Sequence, residues 1–527
     1  MSLNSEPFPN SVDVVIIGAG SAGAVIARRL LDAGRRVAVL EAGPVDASEA
    51  IHDPLGSIGL WDSPYNWGFE TVPQAHAHGK TFLQPRGKTL GGSSAFNGMV
   101  YVRGVRQDYD RWSQGGAAGW DWVTVEPYFR KLEHYEGGPD GGRGVEGLMN
   151  VQRNKTPNLL IQDWVAAAQS AGHPYNDDYN AGDILGVSYT QHTIRNHRRA
   201  TTWVQYMRPV EDHPNLFTRT DATVSKLIIE AGRVVGVKYL HGGAEHRIHA
   251  DQEVVLSAGV FGTPQILMLS GIGDGNVLRS YDIKVHAHLP GVGQNLQDHF
   301  SSPIIYETPG APPVPTEQGL EAQFFAKTRP GLAAPDVQPI LMSFVYAFID
   351  GELPEQGFSV VSQILHSLSR GEVRLRSINP TDAPLIDPRV LSEPYDLEVL
   401  VDNMEMIREV GRQPQMRKWI KREARPGDEV VTRAQMRDYV RSTVVSGHHQ
   451  VGTAKMGMDS MAVVDPELRL HGLEGLRVAD ASIMPYITTG NTNAPTIMIG
   501  ERAADFILER GISGSGSPSA AAESQRQ

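Results

Sequence analysis

VDVVIIGAGSAG, residues 12–23, is the stretch whose reading decides the fold. It begins as an apolar run, Val12 to Gly18, that reads as a buried parallel strand. AVIARRLLDAG (24–34) follows with apolar residues at helical spacing, and Gly34 serves as a C-terminal stop. RRVAVLEAG (35–43) supplies a second strand ending in Glu41. Strand, glycine turn, helix and strand make a βαβ unit. Within it Gly18, Gly20 and Gly23 form a G-x-G-x-x-G pattern. Gly18 makes the tight turn, Gly20 lets backbone approach a pyrophosphate, and Gly23 lets helix and strand pack closely. Ser21 and Ala22 lead into the helix N-terminus, which faces negative charge. Glu41, with Ala42 beside it, accepts hydrogen bonds from a ribose. This constellation predicts a dinucleotide site without choosing between FAD and NAD.

Working outward, the chain has 527 residues, a formal charge of −12 and no cysteine. The length exceeds one ordinary domain. The negative charge and the lack of a Lys/Arg cluster argue against nucleic acid as a partner. Disulfides, thiolate metal sites and Cys nucleophiles are excluded, and no metal site is predicted. No apolar stretch reaches the roughly 18 residues of a membrane span, and the N-terminus lacks a basic leader region. A cytoplasmic location is expected. The Gly/Ser/Ala-rich segment 511–527 is expected to be a disordered tail.

Further along, EVVLSAGV (253–260) reads as a strand leading into FGTPQILMLSGIG (261–273), with Thr263 as helix N-cap, Pro264 as first helical residue and Gly271 as stop. RAQMRDYVRSTVV (433–445) is helix-like. Residues 301–365 are proline-rich and carry no clear pattern, and GEVRLRS (371–377) restores it.

Several blocks together resemble the glucose–methanol–choline (GMC) oxidoreductases, FAD enzymes that oxidise alcohols, in a choline dehydrogenase-like pattern. GKTLGGSSAFNGMVYVRG (87–104) is similar to the first family signature and GVFGTPQILMLSGIG (259–273) to the second, with Val260 where a small residue is expected. PGVGQNLQDH (290–299), RVADASIMP (477–485) and NTNAPTIMIGERAAD (491–505) also match, so the resemblance runs in order from about Val12 to Leu508. It implies that Gly92, Ser93, Asn97, Gly98, Met99 and Val100 lie against the flavin and that Val224 meets the adenine through its backbone. It further implies Asp480 and Ala481 near the pyrophosphate and ribityl chain, with Pro495 and Thr496 completing the cofactor site. Some relatives attach FAD through a histidine in the first signature. Phe96 stands at that position here, so non-covalent FAD is expected.

SGHHQVGTAKMG (446–457) carries adjacent histidines. Oxidising an alcohol removes a proton from oxygen and a hydride from carbon. Flavin N5 takes the hydride, and a histidine near neutral pKa suits the proton. In the family pattern the catalytic histidine directly precedes x-Val-Gly-Thr, which is His449. His448, one residue away on an extended segment, points the opposite way and reads as structural. Family members place His or Asn opposite the base, and counting along 491–505 assigns that place to Asn493. Asn493 is also an attractive helix N-cap before Pro495, which would open the last helix.

The implied fold class is α/β (α+β overall). A Rossmann-like FAD-binding domain is assembled from 11–155, 195–300 and 445–508. A substrate domain with an antiparallel sheet and helices covers 156–194 and 301–444. The expected reaction takes a primary alcohol to its aldehyde and passes electrons to O2 or another acceptor, the substrate being choline, an aryl alcohol or another primary alcohol. The alternative is a lyase of the hydroxynitrile type with structural FAD.

Overall fold

The structure, a computed structural model, describes residues 8–316 and 318–513. The opening βαβ unit forms as its pattern dictates. β1 (Ser11–Ile17) leads into α1 (Gly23–Asp32) and then β2 (Val37–Leu40), with β1 and β2 parallel and Ile17 level with Leu40. α1 ends at Ala33, and Gly34 takes φ 77°, the left-handed conformation that stops a helix. Residues 35, 36 and 41–43 fall outside β2, which is shorter than the predicted strand.

β1 also pairs in parallel with β3 (Ala244–Leu256), Ile17 opposite Leu256. Leu216–Arg219 adds in parallel outside β2, and Leu476–Val478 adds in parallel to the end of β3. A hairpin, Thr223–Glu230 and Arg233–His241, completes this seven-stranded sheet by antiparallel pairing. At its centre β2 is buried at every position and β1 at Val12 and Val14–Ile17, as strands covered on both faces require.

A second seven-stranded sheet draws on Gly186–Tyr189, Phe300–Glu307, Leu320–Phe325, Ile340–Met342, Gly357–Gln363, Arg422–Arg425 and Val445–Ser446. Every pairing in it is antiparallel. The proline-rich region that lacked a pattern therefore supplies its centre. Prolines hid it: Pro303 sits inside Phe300–Glu307, and Pro339 precedes Ile340. Helices Leu159–Ser170, Pro394–Gly411 and Arg433–Thr443 share one apolar core with this sheet. Val445–Ser446 pairs with Phe300–Ser301, so the segment carrying both histidines leaves from the second sheet and crosses to the first.

Two local expectations are corrected. β3 ends at Leu256, and α2 (Gly259–Leu269) starts four residues before Thr263. Thr263 is not the cap. Its hydroxyl and the Gly259 N–H both donate to Asp480, a carboxylate more than 200 residues away that stabilises the helix start from outside. The last helix, α3 (Asn493–Ser513), opens at Asn493 with Pro495 inside its first turn, and it continues past Gly511. The tail expected from 511 thus begins no earlier than 514, and 514–527 lie outside the described residues. Among the described residues no helix is long and apolar enough to cross a membrane.

Gly23 faces the closest approach in the βαβ unit. A methyl there would meet the Gly18 carbonyl oxygen at 2.1 Å and Ile16 at 3.3 Å. Gly23→Ala should cost about 1–3 kcal/mol through forced displacement of strand from helix, read as a lower unfolding temperature of the cofactor-free protein. An unchanged transition would contradict this packing.

Candidate active site

Parallel pairing brings the C-terminal ends of β1, β2, β3 and Leu476–Val478 to one edge. The next residues, Gly18, Glu41 and Ser257, and Asp480 two residues past Val478, all line a single cleft. Ligands bind at this edge of open α/β sheets because the connections there diverge and leave a crevice. No side chain caps α1, so its first N–H groups face the cleft as anion donors. Glu41 accepts from Ala19 N at 3.0 Å and Gly43 N at 2.9 Å. Burial pushes its carboxyl up to about 7, and these two donors offset part of that cost.

The first-signature segment lies against the βαβ turn. Gly92 has φ 51°, and a Cβ on it would meet Gly20 Cα at 2.8 Å. A Cβ on Gly98 would come within 2.4 Å of the Leu320 side chain. Bulk is excluded on both sides, which leaves a flat slot that fits a planar ring system. Asn97 is fixed by Arg199, whose guanidinium donates to its side chain and carbonyl, and Asn97 Oδ1 also accepts from Met99 N. The cleft is lined by Gly18, Gly20, Ser21, Ala22, Glu41, Ala42, Gly92, Ser93, Asn97, Gly98, Met99, Val100, Val224, Asp480, Ala481 and Thr496. Gly23 and Pro495 are buried beside the cleft rather than on its wall. Phe96 lines it and offers no nucleophilic atom.

At the far end of the same cleft stand His448 and His449. His449 Nε2 lies 3.0 Å from the amide nitrogen of Asn491, not of Asn493. The count along the last motif was two residues too far. Asn493 is the first residue of α3, and its Oδ1 accepts from Ser21 Oγ at 2.7 Å, tying helix to glycine turn. Asn491 precedes the helix and projects toward the histidine. Its amide orientation follows from a chain of donors. Gln363 Nε2 donates to Gln338 Oε1 at 2.9 Å, and Gln338 Nε2 donates to Asn491 Oδ1 at 3.3 Å. With its oxygen so engaged, Asn491 presents N–H to His449.

His449 Nδ1 lies 3.0 Å from His299 Nδ1, the rings nearly perpendicular. Only one of these nitrogens carries the proton they share. Because the Asn491 amide N–H points at His449 Nε2, that nitrogen is the acceptor and the shared proton sits on His449 Nδ1, directed at the buried His299 ring. Its Nδ1 is then the acceptor, His449 carries Nδ1–H, and His449 Nε2 keeps a bare lone pair facing Asn491. Asp298 holds the backbone of both histidines, accepting His299 N at 2.8 Å and His449 N at 2.9 Å, while Ser446 and Gln450 donate to its other oxygen. Burial pushes the His449 imidazole down to about 3, with the Arg86 cation adding to the effect.

His448 departs from expectation. It adopts φ 62° instead of an extended conformation, so it too faces the cleft, edge-on to Trp61. Arg86 donates to its carbonyl at 3.0 Å. Asn491, His299, Asp298 and Arg86 were not singled out from sequence. Asp298 and His299 end the motif PGVGQNLQDH, and that motif was their only sequence signal.

Comparison with known proteins finds related sequences and structures. The GMC oxidoreductase description matches residues 12–301 for its N-terminal part and 367–500 for its C-terminal part. Mitochondrial choline dehydrogenase of Mus musculus is 38% identical, over 94% of this chain and 89% of that one. Oxygen-dependent choline dehydrogenase of Sinorhizobium fredii is 39% identical, over 94% and 95%. The crystal structure of pyridoxine 4-oxidase from Mesorbium loti superposes with a TM-score of 0.89 at 31% identity, over 94% and 98%.

The tautomer assignment is testable without turnover. In protein with ¹⁵N-labelled histidine, His449 should show a protonated Nδ1 and a bare Nε2 near neutral pH. His299→Ala should convert it to a mixture. A protonated Nε2 in the unaltered protein would refute the assignment.

Proposed function

The chain belongs to the GMC oxidoreductase family, flavoprotein enzymes that act on CH–OH groups, and on that footing we propose that it oxidises a primary alcohol to the aldehyde with His449 as base. The observation that carries this reading is His449 Nε2 placed 3.0 Å from the Asn491 amide nitrogen at the end of the glycine-lined cleft. FAD, when bound, supplies the acceptor for the carbon-bound hydrogen and its electron pair. Gly18, Gly20, Ser21 and Glu41 would hold its dinucleotide part, and Gly92, Asn97 and Gly98 the slot for its rings. The unit built on the first sheet, 11–155, 195–300 and 445–508, is the cofactor domain in this reading, and 156–194 with 301–444 faces substrate.

The chain's own groups have defined tasks. A substrate hydroxyl entering between His449 and Asn491 accepts from the Asn491 N–H and donates to His449 Nε2. Proton removal builds negative charge on the substrate oxygen, and a donor already aimed there stabilises it without reorganising. Asn491 has no basic site, so only His449 takes the proton. The positive charge that His449 then carries is shared through its Nδ1–H with His299. The sheet edge and the backbone held by Asp298 keep this geometry in place before substrate arrives. A lyase reading is not favoured, because the relatives are named as dehydrogenases and oxidases. Their substrates by name are as different as choline and pyridoxine, and O2 or another acceptor takes the electrons.

Adding a reactive primary alcohol anaerobically to the holoenzyme should bleach its flavin absorbance, and His449→Ala should slow that bleaching by about 10²–10⁴-fold. Equal rates would remove His449 as base. The pH dependence follows from the lowered pKa. The base is active when neutral, so kcat/KM should not fall as pH drops through 6.5 and should fall only as it nears 3. A loss of activity with a midpoint near 6.5 would contradict it. Acid precipitation should release yellow flavin into the supernatant, since Phe96 offers no covalent link. Flavin retained in the pellet would show attachment.

A further inference from the structure

Arg199 is a guanidinium shut away from water with no carboxylate against it. It ends a small hairpin, Ile194–Arg195 and Arg198–Arg199, and is 1% exposed. One nitrogen, Nη1, donates to the Asn97 carbonyl and, at 3.0 Å, to Asn97 Oδ1. Nε and Nη2 are buried without a hydrogen-bond partner. Other buried arginines follow the ordinary rule that a buried cation is paired. Arg103 and Arg143 both meet Glu133, and Arg477 meets Glu253 at 2.8 Å.

Arg199 has no such neutralising contact among the described residues. The carboxylate whose charge acts on it is Asp53, which is exposed and spends an oxygen on the Leu55 N–H. Burial pushes the guanidinium down to about 9, which leaves it charged at neutral pH. A buried charge left unpaired is costly, so its place in the fold matters. That place is directly behind Asn97, a wall of the flat slot. Asn97 Oδ1 also accepts from Met99 N at 3.1 Å, so the amide is fixed from two sides. A ring system that gains an electron pair on reduction gains negative charge. A cation one side chain behind the slot wall attracts that form more strongly than the oxidised one. Burial keeps water and salt from screening the attraction.

We infer that Arg199 is a positioning residue with a second task, the fixed counter-charge of the slot: it favours the reduced state of a bound flavin and so adds to the driving force for oxidising the alcohol. The inference rests on the flavin-binding reading of the cleft and deepens it.

The test reads the reduction potential of the holoenzyme by equilibration with a reference dye, without alcohol present. In the unaltered enzyme bound FAD should be easier to reduce than free FAD in the same buffer. Arg199→Gln retains an N–H donor for Asn97 and removes the charge. It should lower the ratio of reduced to oxidised flavin at a fixed potential by about tenfold or more, which is about 30 mV for a two-electron couple. Arg199→Lys retains the charge without the planar fork and should recover the larger part of that loss. An unmoved potential in Arg199→Gln overturns the inference. Equal losses in the Gln and Lys variants also overturn it, leaving Arg199 as a brace for Asn97 alone. Should Arg199→Gln not fold, the unaltered enzyme decides: bound FAD no easier to reduce than free FAD overturns the inference. Protein that takes up no FAD overturns the flavin reading and this inference with it.

Discussion

Parallel hydrogen bonding of β1 to both β2 and β3 obliges Ile17, Leu40 and Leu256 to end side by side. The rest of the cleft depends on that register. Gly18, Glu41 and Ser257 leave the sheet at one level, and Leu476–Val478 brings Asp480 to the same edge. Segments hundreds of residues apart thereby share one crevice with the N-terminus of α1 at its base. A slip by one residue would turn the inward side chains outward and carry the glycine turn out of line with Glu41.

The second level of organisation is made by two buried carboxylates that join segments remote in sequence. Asp480 gathers Gly259 N, Thr263 Oγ1 and Ser482 N, and so joins α2 to the segment leading into the cleft. Asp298 gathers His299 N and His449 N, and so joins the first family-like motif of the second half to the histidine loop. Each is buried, and burial raises both of their pKa values, to about 6 for Asp298. Several donors to one carboxylate are what make such burial tolerable.

These anchors separate positioning from reaction. His449 takes its ring orientation from His299 on one nitrogen and from Asn491 on the other, and Asn491 takes its own from Gln338. The consequence is a directed chain in which each group has one role left open, and the last open position is a lone pair facing the cleft. A buried network of this kind favours one arrangement because the alternatives break several of its hydrogen bonds at once.

The sequence by itself determined whatever is local. The glycine spacing, the alternation of strand and helix, and Glu41 at the end of β2 depend on neighbours within one βαβ unit, so their periodicity carries them. The x-Val-Gly-Thr context likewise marked His449, because the motif is contiguous. Tertiary structure alone decided the rest. Thr263 looked like a cap because no sequence pattern shows Asp480 arriving from elsewhere. Asn493 looked like the partner of His449 because a count along a motif does not reveal where a helix begins. Once α3 starts at Asn493, its side chain turns to Ser21 and leaves Asn491, two residues before the helix, to reach the histidine. His299 and Arg86 became visible only when remote segments were brought within a few ångströms. Contacts between segments remote in sequence, which no local propensity encodes, are the physical cause throughout.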